Sequence, residues 1–386
     1  MTSPSTSTTL LGLRLAITST ASLLQKYDHA IAYQTNTPTT APTNQSDPQP
    51  EPLVLLHTSA TLTKAQTTKL SLLILNKPFT PTAISAILRD LSAGPLVAMM
   101  SGVQLCVPDV WGTTMSVEVK SRVLHVLREL RGLVGEIPLQ EPGEGESQEG
   151  APSPSKGSLA STGVVWEACD ALAELRDKGM AGLLVQKAIQ YRDTLEDALA
   201  ELSDWSKEDG NDDADKDEYE DEDEDDDDDA SSTAGNDSFD DLFDTGKTLP
   251  KGDSELRSLL DDSLKRLALV KMLYTAVIKR RLRHASLSSA SAPLEADKSA
   301  EDSQAQRMTF VSRLDRLMQA LKSIPEETDE LASAFYELDE EEARRSLQKC
   351  LQLARDVAEL VKRDWSGRED DFKTWLDKWL GMIGTE

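Results

Sequence analysis

The amino-acid sequence predicts an all-α protein, a bundle of long antiparallel helices that carries a disordered acidic insert. Apolar residues recur at spacings of three and four in almost every stretch outside one acidic tract, which is the periodicity of amphipathic helices. The chain is 39% hydrophobic and only 5% aromatic, a mix that favours helices over strands. Prolines and polar runs separate the periodic stretches, so helices are expected to end where those runs begin.

The first part of the chain contains four predicted helices. An apolar stripe from Leu13 to Ile31 indicates the first one, and prolines set the boundaries of those that follow. Pro95 is expected to kink or split the third helix. The predicted ranges are residues 9–33, 53–76, about 81–107, and a fourth helix that follows Pro108 and ends near Ile137.

Helical periodicity resumes near Ser161 and is interrupted once, at Lys178 and Gly179. This pattern predicts a short helix followed by a long one that ends near Trp205. After the acidic tract, one long helix is predicted from Asp253 to about Leu287.

The C-terminal part is predicted to form three further helices. The first covers residues 304–323 and is bounded by Pro325. Asp339 with Glu342, and Ser366 with Glu369, have the spacing of a capping box. Each pair therefore predicts the start of a helix.

These elements give three predicted segments. Residues 1–205 form an N-terminal helical bundle with flexible loops at 34–52 and 138–159. Residues 206–252 form the disordered acidic insert. Residues 253–386 form a C-terminal helical segment, and whether it packs on the N-terminal bundle stays open at this point.

The charge of the chain is concentrated in the insert. Between Glu208 and Asp229 there are 17 acidic residues and one basic residue, so this tract holds −16 of the formal net charge of −27 and the remainder holds −11. No clustered basic surface is available to neutralise phosphates, which argues against direct nucleic-acid binding. The tract is either a solvated spacer or an arm that attracts basic proteins.

No catalytic, metal or cofactor site is predicted. The four histidines occur singly, without the spacing of a zinc site or a catalytic triad. Three widely spaced cysteines within apolar patterns predict buried, reduced thiols. No apolar run approaches the roughly 20 residues that span a bilayer, so a location in the cytoplasm and nucleus is expected, with a Ser/Thr-rich transit peptide at the start as the less favoured reading.

Two local patterns have open interpretations. The basic stretch Lys279 to His284 suits the C-terminal end of a helix or an intramolecular contact with the insert, and less well a nuclear-import or nucleic-acid patch. Ser206 and Ser238 each have an acidic residue three positions later, the pattern that acid-directed kinases favour.

Two stretches resemble a known family. The first is Ser161 to Asp170, which reads STGVVWEACD, and it resembles the central signature of the cyclin-D-binding protein family, also called GCIP. The second is Thr68-Lys69-Leu70-Ser71-Leu72-Leu73, followed by Lys77-Pro78. The order of helices around both stretches is similar to the family over much of residues 10–205.

The resemblance implies an all-helical regulator that acts through protein contacts and not through catalysis. It implies cyclins or helix-loop-helix transcription factors as partners, and a role in cell-cycle progression or transcription. The family-signature residues, which are expected to be mainly structural, are Thr68, Lys69, Leu70, Ser71, Thr162, Gly163, Val165 and Cys169.

Trp166 has two interpretations. A packed tryptophan buries a large area, and this favours a core position. If it is exposed beside Glu167 and Asp170, these three residues become candidates for binding a partner protein. The leading functional hypothesis is thus a partner-binding regulator. The alternatives are an acidic, histone-chaperone-like protein that acts through residues 208–229 and a helical scaffold of the adhesion type.

Overall fold

The computed structural model describes residues 4–33, 51–76, 78–138, 154–208, 254–285 and 300–384. Within these ranges the chain is helical and contains no strand, which confirms the all-α bundle. Most of the two predicted loops, Lys77 and the greater part of the acidic insert lie outside the described residues. The predicted disorder of the insert therefore stays a prediction.

The helices follow the predicted order along the chain. Their bounds are α1 (Pro4–Ala32), α2 (Pro52–Leu75), α3 (Pro81–Ala93), α4 (Pro95–Leu105), α5 (Pro108–Trp111), α6 (Thr113–Gly135), α7 (Pro154–Glu208), α8 (Ser254–Arg280), α9 (Ala300–Glu337), α10 (Glu340–Val361) and α11 (Asp371–Ile383). A 3₁₀ turn, Leu282–His284, follows α8.

Two predicted interruptions are confirmed. α3 and α4 are separated at Gly94, whose φ of −109° and ψ of −92° are not helical, and α4 begins at Pro95. In α7 the interruption falls at Gly179, which has φ 58° and ψ −168°. The backbone direction therefore changes there, and α7 consists of a shorter and a longer helical part.

The prediction that Pro325 ends a helix is wrong, because α9 continues through it to Glu337. Proline has no N–H, so it cannot donate to the carbonyl four residues earlier, which belongs to Leu321. The hydroxyl of Tyr274 donates a hydrogen bond to that carbonyl instead. Tyr274 is fully buried, and burial raises the pKa of its hydroxyl, which keeps it protonated as a donor.

One of the two predicted helix starts is confirmed, with the N-cap half of a capping box. Asp339 is the N-cap of α10, and its carboxylate accepts a hydrogen bond of 3.0 Å from the amide of Glu342. The predicted helix start at Ser366 is wrong, since α11 begins at Asp371. Ser366 instead donates its hydroxyl to the carboxylate of Asp364, in a turn that precedes α11.

The described chain divides into two compact units. The first contains residues up to Leu184 together with Ala285–Asp315, and the second contains Val185–His284 and Arg316–Glu386. The division falls inside α7 and α9 and not at residues 205 and 253. The predicted three-segment organisation stays a prediction, and the units show which helices share a core.

In the first unit, α1 contacts α3 and α6, and α2 contacts α4. α2 and α4 approach so closely that a Cβ on Gly102 would lie 2.6 Å from Leu56 Cδ2. A larger residue at this crossing would force the Leu56 side chain to move. α6 begins at Thr113, whose amide and hydroxyl donate to the carboxylate of Asp315 in α9 at 2.7 and 2.8 Å.

In the second unit, α8 contacts α10 and α11. Arg281, which directly follows α8, is only 2% exposed and makes two 2.8 Å hydrogen bonds to Asp370 and one to the carbonyl of Val361. Its guanidinium also lies 4.7 Å from the ring centroid of Phe372. Arg281 is thus unavailable to an import receptor or a nucleic acid, and its role is structural.

The stretch Pro81–Leu105 is long and apolar enough to cross a membrane by length and composition alone. This differs from the prediction that no apolar run reaches that length. The stretch comprises α3 and α4, which contact each other and both contact α2, and 44% of its most apolar window is buried. These contacts account for its apolar composition.

Candidate protein-binding site

The two family-like stretches lie on helices that run antiparallel to each other. Three contacts join α2 to the first part of α7: His57 with Arg176 at 3.4 Å, Lys64 with Asp170, and Ser71 with Thr162. Each step of seven residues along α2 is matched by a step of six or eight residues backwards along α7. The pair therefore holds one register from end to end.

Ser71 and Thr162 bring the two stretches into direct contact. Their hydroxyl groups share a hydrogen bond, and the residues are 4% and 1% exposed. Ser71 ends a row of buried hydroxyl residues on α2, each of which donates to a carbonyl three or four residues earlier in the same helix; the others are Ser59, Thr63 and Thr67. The hydroxyl groups of this face thus find their hydrogen-bond acceptors within α2, so the face can be buried at little cost in free energy.

An ion pair lies near the middle of the helix pair. The Lys64 ammonium donates to both carboxylate oxygens of Asp170, at 2.7 and 2.5 Å. The same nitrogen lies 5.9 Å from the ring centroid of Trp166, within the range of a cation–π contact. Because the Lys64 and Asp170 side chains are 38% and 62% exposed, this pair contributes little to stability and can be reached by a partner.

Trp166 lies at the boundary between core and surface. It is half-buried, and its indole nitrogen is buried without a hydrogen-bond partner among the described residues. The structure therefore places it between the two interpretations that the sequence offered. Glu167 and Asp170 lie exposed beside it on α7, so the three predicted protein-binding residues share one neighbourhood.

The signature residues divide into an inward and an outward group. Leu70, Val165 and Cys169 are at most 1% exposed, and burial, with a smaller contribution from Asp170, raises the pKa of the Cys169 thiol to about 12. These residues pack the helix pair. Lys69 and Gly163 are exposed and Thr68 is half-buried, so this group faces outward.

An apolar surface lies at the end of the helix pair. Leu72 and Leu75 on α2 are 52% and 36% exposed, and Leu159 on α7 is 58% exposed. From the Ser71–Thr162 contact, one further turn along α2 reaches Leu75, and one turn back along α7 reaches Leu159. A Cβ built on Gly163 meets no atom within 4 Å. We name Leu72, Leu75, Leu159, Gly163 and Trp166 the α2–α7 edge.

Sequence reasoning missed the leucines of this edge and Lys64. For Leu72 and Leu75 the signal was present in the run TKLSLLIL, which places apolar residues on all sides of the end of α2 and so leaves some of them exposed in any packing. The Lys64–Asp170 pair joins residues 106 positions apart, and no local pattern indicates it.

A comparison with known protein families agrees with the resemblance. Residues 55–208 match the family described as "Grap2 and cyclin-D-interacting, N-terminal". This range contains both family-like stretches and the whole α2–α7 edge, and it confirms the predicted resemblance there. An uncharacterised protein of Schizosaccharomyces pombe is 25% identical over 332 residues, which cover 85% of this chain and 83% of that protein.

Proposed function

We propose, from the match of residues 55–208 to a cyclin-D-interacting family, that this chain is a non-catalytic protein that binds a D-type cyclin on the α2–α7 edge. In this proposal the chain acts by occupying its partner, as a regulator of cell-cycle progression or transcription does. The same surface is the candidate site for a helix-loop-helix transcription factor.

One observation carries the proposal: the two signature stretches meet along α2 and α7, and beside them the chain exposes three leucines. Burial of one leucine contributes about 1.5–3 kcal/mol. A small apolar group surrounded by polar residues is the usual anatomy of a binding hot spot. Here the surrounding charges come from Lys64, Glu167 and Asp170.

Gly163→Arg is the sharpest test of this surface. The glycine is exposed and helical, and open space lies above it, so the new side chain disturbs no internal contact but projects into the path of a partner. Gly132→Arg in α6 is the matched control, because Gly132 is also exposed, helical and open. Affinity for a purified D-type cyclin is measured by isothermal titration calorimetry.

We expect Gly163→Arg to weaken binding by at least about ten-fold, the loss of one hot-spot contact, while Gly132→Arg binds as the unmodified chain does. Equal affinity of both variants would reject the α2–α7 edge as the binding surface. Trp166→Ala adds a second readout, since loss of binding with unchanged stability assigns Trp166 to the partner and loss of the fold assigns it to the core.

Deletion of residues 208–229 separates this proposal from the acidic, histone-chaperone-like alternative. If the α2–α7 edge binds the partner, cyclin binding does not depend on the tract. Loss of all partners upon the deletion contradicts the proposal and favours the acidic tract as the binding element.

A further inference from the structure

The connection between α10 and α11 contains a serine, Ser366, that is followed by three acidic residues. Ser366 lies in the non-helical segment 362–370 and is half-buried. Glu369 follows three positions later, and Asp370 and Asp371 come next. Since Ser366 caps no helix, the capping-box spacing has no structural role here.

Acidic residues downstream of a serine in a non-helical segment are what an acid-directed protein kinase recognises. Such a kinase binds its substrate in an extended form and contacts the downstream carboxylates with basic side chains. We propose that Ser366 is a phosphorylation site for a kinase of this class. The Glu369 side chain, which supplies the carboxylate three positions on, is half exposed.

Ser206, which the sequence also indicated, is a poorer substrate on the same grounds. It lies inside the helix α7. A kinase would have to unwind the last turns of α7 to extend this segment, whereas the segment around Ser366 is already non-helical.

The transfer needs a nucleoside triphosphate as co-substrate. The Ser366 Oγ attacks the γ-phosphorus of ATP, an Oγ–P bond forms, and the bond from that phosphorus to the β,γ-bridging oxygen breaks. ADP leaves with the bond electrons, and the hydroxyl proton passes to a base of the kinase. The product is phosphoserine, which carries a charge of about −1.5 to −2 at neutral pH.

The phosphate would act on the turn that Asp364 organises. The carboxylate of Asp364 accepts hydrogen bonds from the amides of Ser366 and Arg368 at 2.9 and 2.8 Å and from the Ser366 hydroxyl. Phosphorylation removes the hydroxyl donor and places a second anion beside this carboxylate. Arg368, whose Nε now contacts Ser366 Oγ at 2.7 Å, is the nearest cation for the phosphate.

This turn is joined to the buried arginine of the second unit. Trp365 donates its indole N–H to the carbonyl of Arg281 at 2.8 Å, and Asp370, at the other end of the segment, holds the Arg281 guanidinium. A phosphate on Ser366 therefore modifies a segment in which Trp365 and Asp370, on either side of Ser366, both contact Arg281. We infer that it loosens the turn and leaves α10 and α11 in place.

The test uses the full chain and a purified serine kinase whose recognition requires an acidic residue three positions after the serine, with Mg·ATP. Mass spectrometry of the products locates the phosphate. Glu369→Gln is expected to lower the initial rate at Ser366 by at least about ten-fold, the loss of one charge-assisted hydrogen bond. Glu359→Gln is the matched control, because Glu359 is also an exposed carboxylate, paired with Lys362.

Absence of phosphate on Ser366 in the folded chain overturns the proposal, and so does an equal rate for the two glutamine variants. Hydrogen exchange then tests the effect on the turn. The Ser366 and Arg368 amides are expected to exchange at least about ten-fold faster in the phosphorylated chain, because their common acceptor is repelled. Unchanged exchange at both amides rejects the loosening of the turn.

Discussion

At the scale of single residues, Pro325 and Tyr274 form a compensating pair. The proline removes one hydrogen bond from the middle of α9, and the tyrosine hydroxyl of α8 replaces it at the Leu321 carbonyl. A buried carbonyl without a donor costs about 1–3 kcal/mol. The helix therefore continues through a residue that normally ends it.

This pair gives a double-mutant test. Tyr274→Phe removes the donor and should lower the free energy of unfolding by about 1–3 kcal/mol. In a Pro325→Ala background the alanine supplies the missing N–H to Leu321, so the same Tyr274→Phe change should cost less than about 0.5 kcal/mol. Urea titrations of the four proteins measure the coupling, and equal costs in the two backgrounds would contradict the compensation.

Contacts between individual side chains that are distant in sequence could not be predicted from the sequence. The rule that proline ends a helix was applied to Pro325 and was wrong, because the compensating hydroxyl lies 47 positions away from Leu321. The Lys64–Asp170 pair joins residues 106 positions apart, so no local pattern could predict it either. Local capping was predictable in part: Asp339 caps α10, whereas the Ser366 hydroxyl prefers the nearer carboxylate of Asp364.

At the scale of elements, the break in α7 depends on one glycine. Gly179 has φ 58° and ψ −168°, a backbone conformation that residues with a Cβ avoid, at a cost of about 1–3 kcal/mol. Gly163, in the same helix, is helical and open, and there an alanine gains about 0.5–1 kcal/mol in helix propensity.

Opposite effects of one substitution are therefore expected along α7. Gly179→Ala should lower the midpoint of chemical denaturation, and Gly163→Ala should raise it slightly. Circular dichroism during guanidinium titration measures both. An unaffected Gly179→Ala variant would show that the break is not set by this glycine, and a destabilised Gly163→Ala variant would contradict the open helical position of Gly163.

Helices were the most predictable part of the molecule because their signal is periodic and local. The predicted stripe of α1 is buried at Leu13, Leu24 and Ile31, and the interruption at Gly179 was indicated by the loss of that period. The α2–α7 edge was predictable only in its signature residues, since the register between two helices depends on packing and not on either helix alone.

At the scale of the whole molecule, the first unit is completed by a distant part of the chain. Ala285 and the described residues 300–315 belong to it, and the Asp315 carboxylate accepts hydrogen bonds from Thr113 at the start of α6. Val311 lies 4.0 Å from the position that a Cβ on Gly112 would occupy. Residues 55–208, which match the family, therefore do not contain every residue of this unit.

Because Asp315 of α9 contacts the start of α6, a substitution at Asp315 should change the stability of α6. Asp315→Ala removes the carboxylate that accepts from Thr113 and should destabilise the first turn of α6 by about 1 kcal/mol, whereas Asp315→Asn retains an acceptor and should be nearly neutral. Hydrogen exchange at the Thr113 amide measures the effect. Equal exchange in both variants would show that Asp315 does not cap the helix. No sequence pattern linked these residues, which are 202 positions apart.

The antiparallel register of α2 and α7 restricts insertions and deletions in both helices. An inserted residue in either helix rotates everything beyond it by about 100°, so contacts on one side of the insertion would be lost together. A substitution within residues 57–71 or 162–176 changes one contact, whereas a gap shifts many contacts together. Among related chains, length differences should therefore accumulate between the helices and leave the spacing within each of these two segments constant.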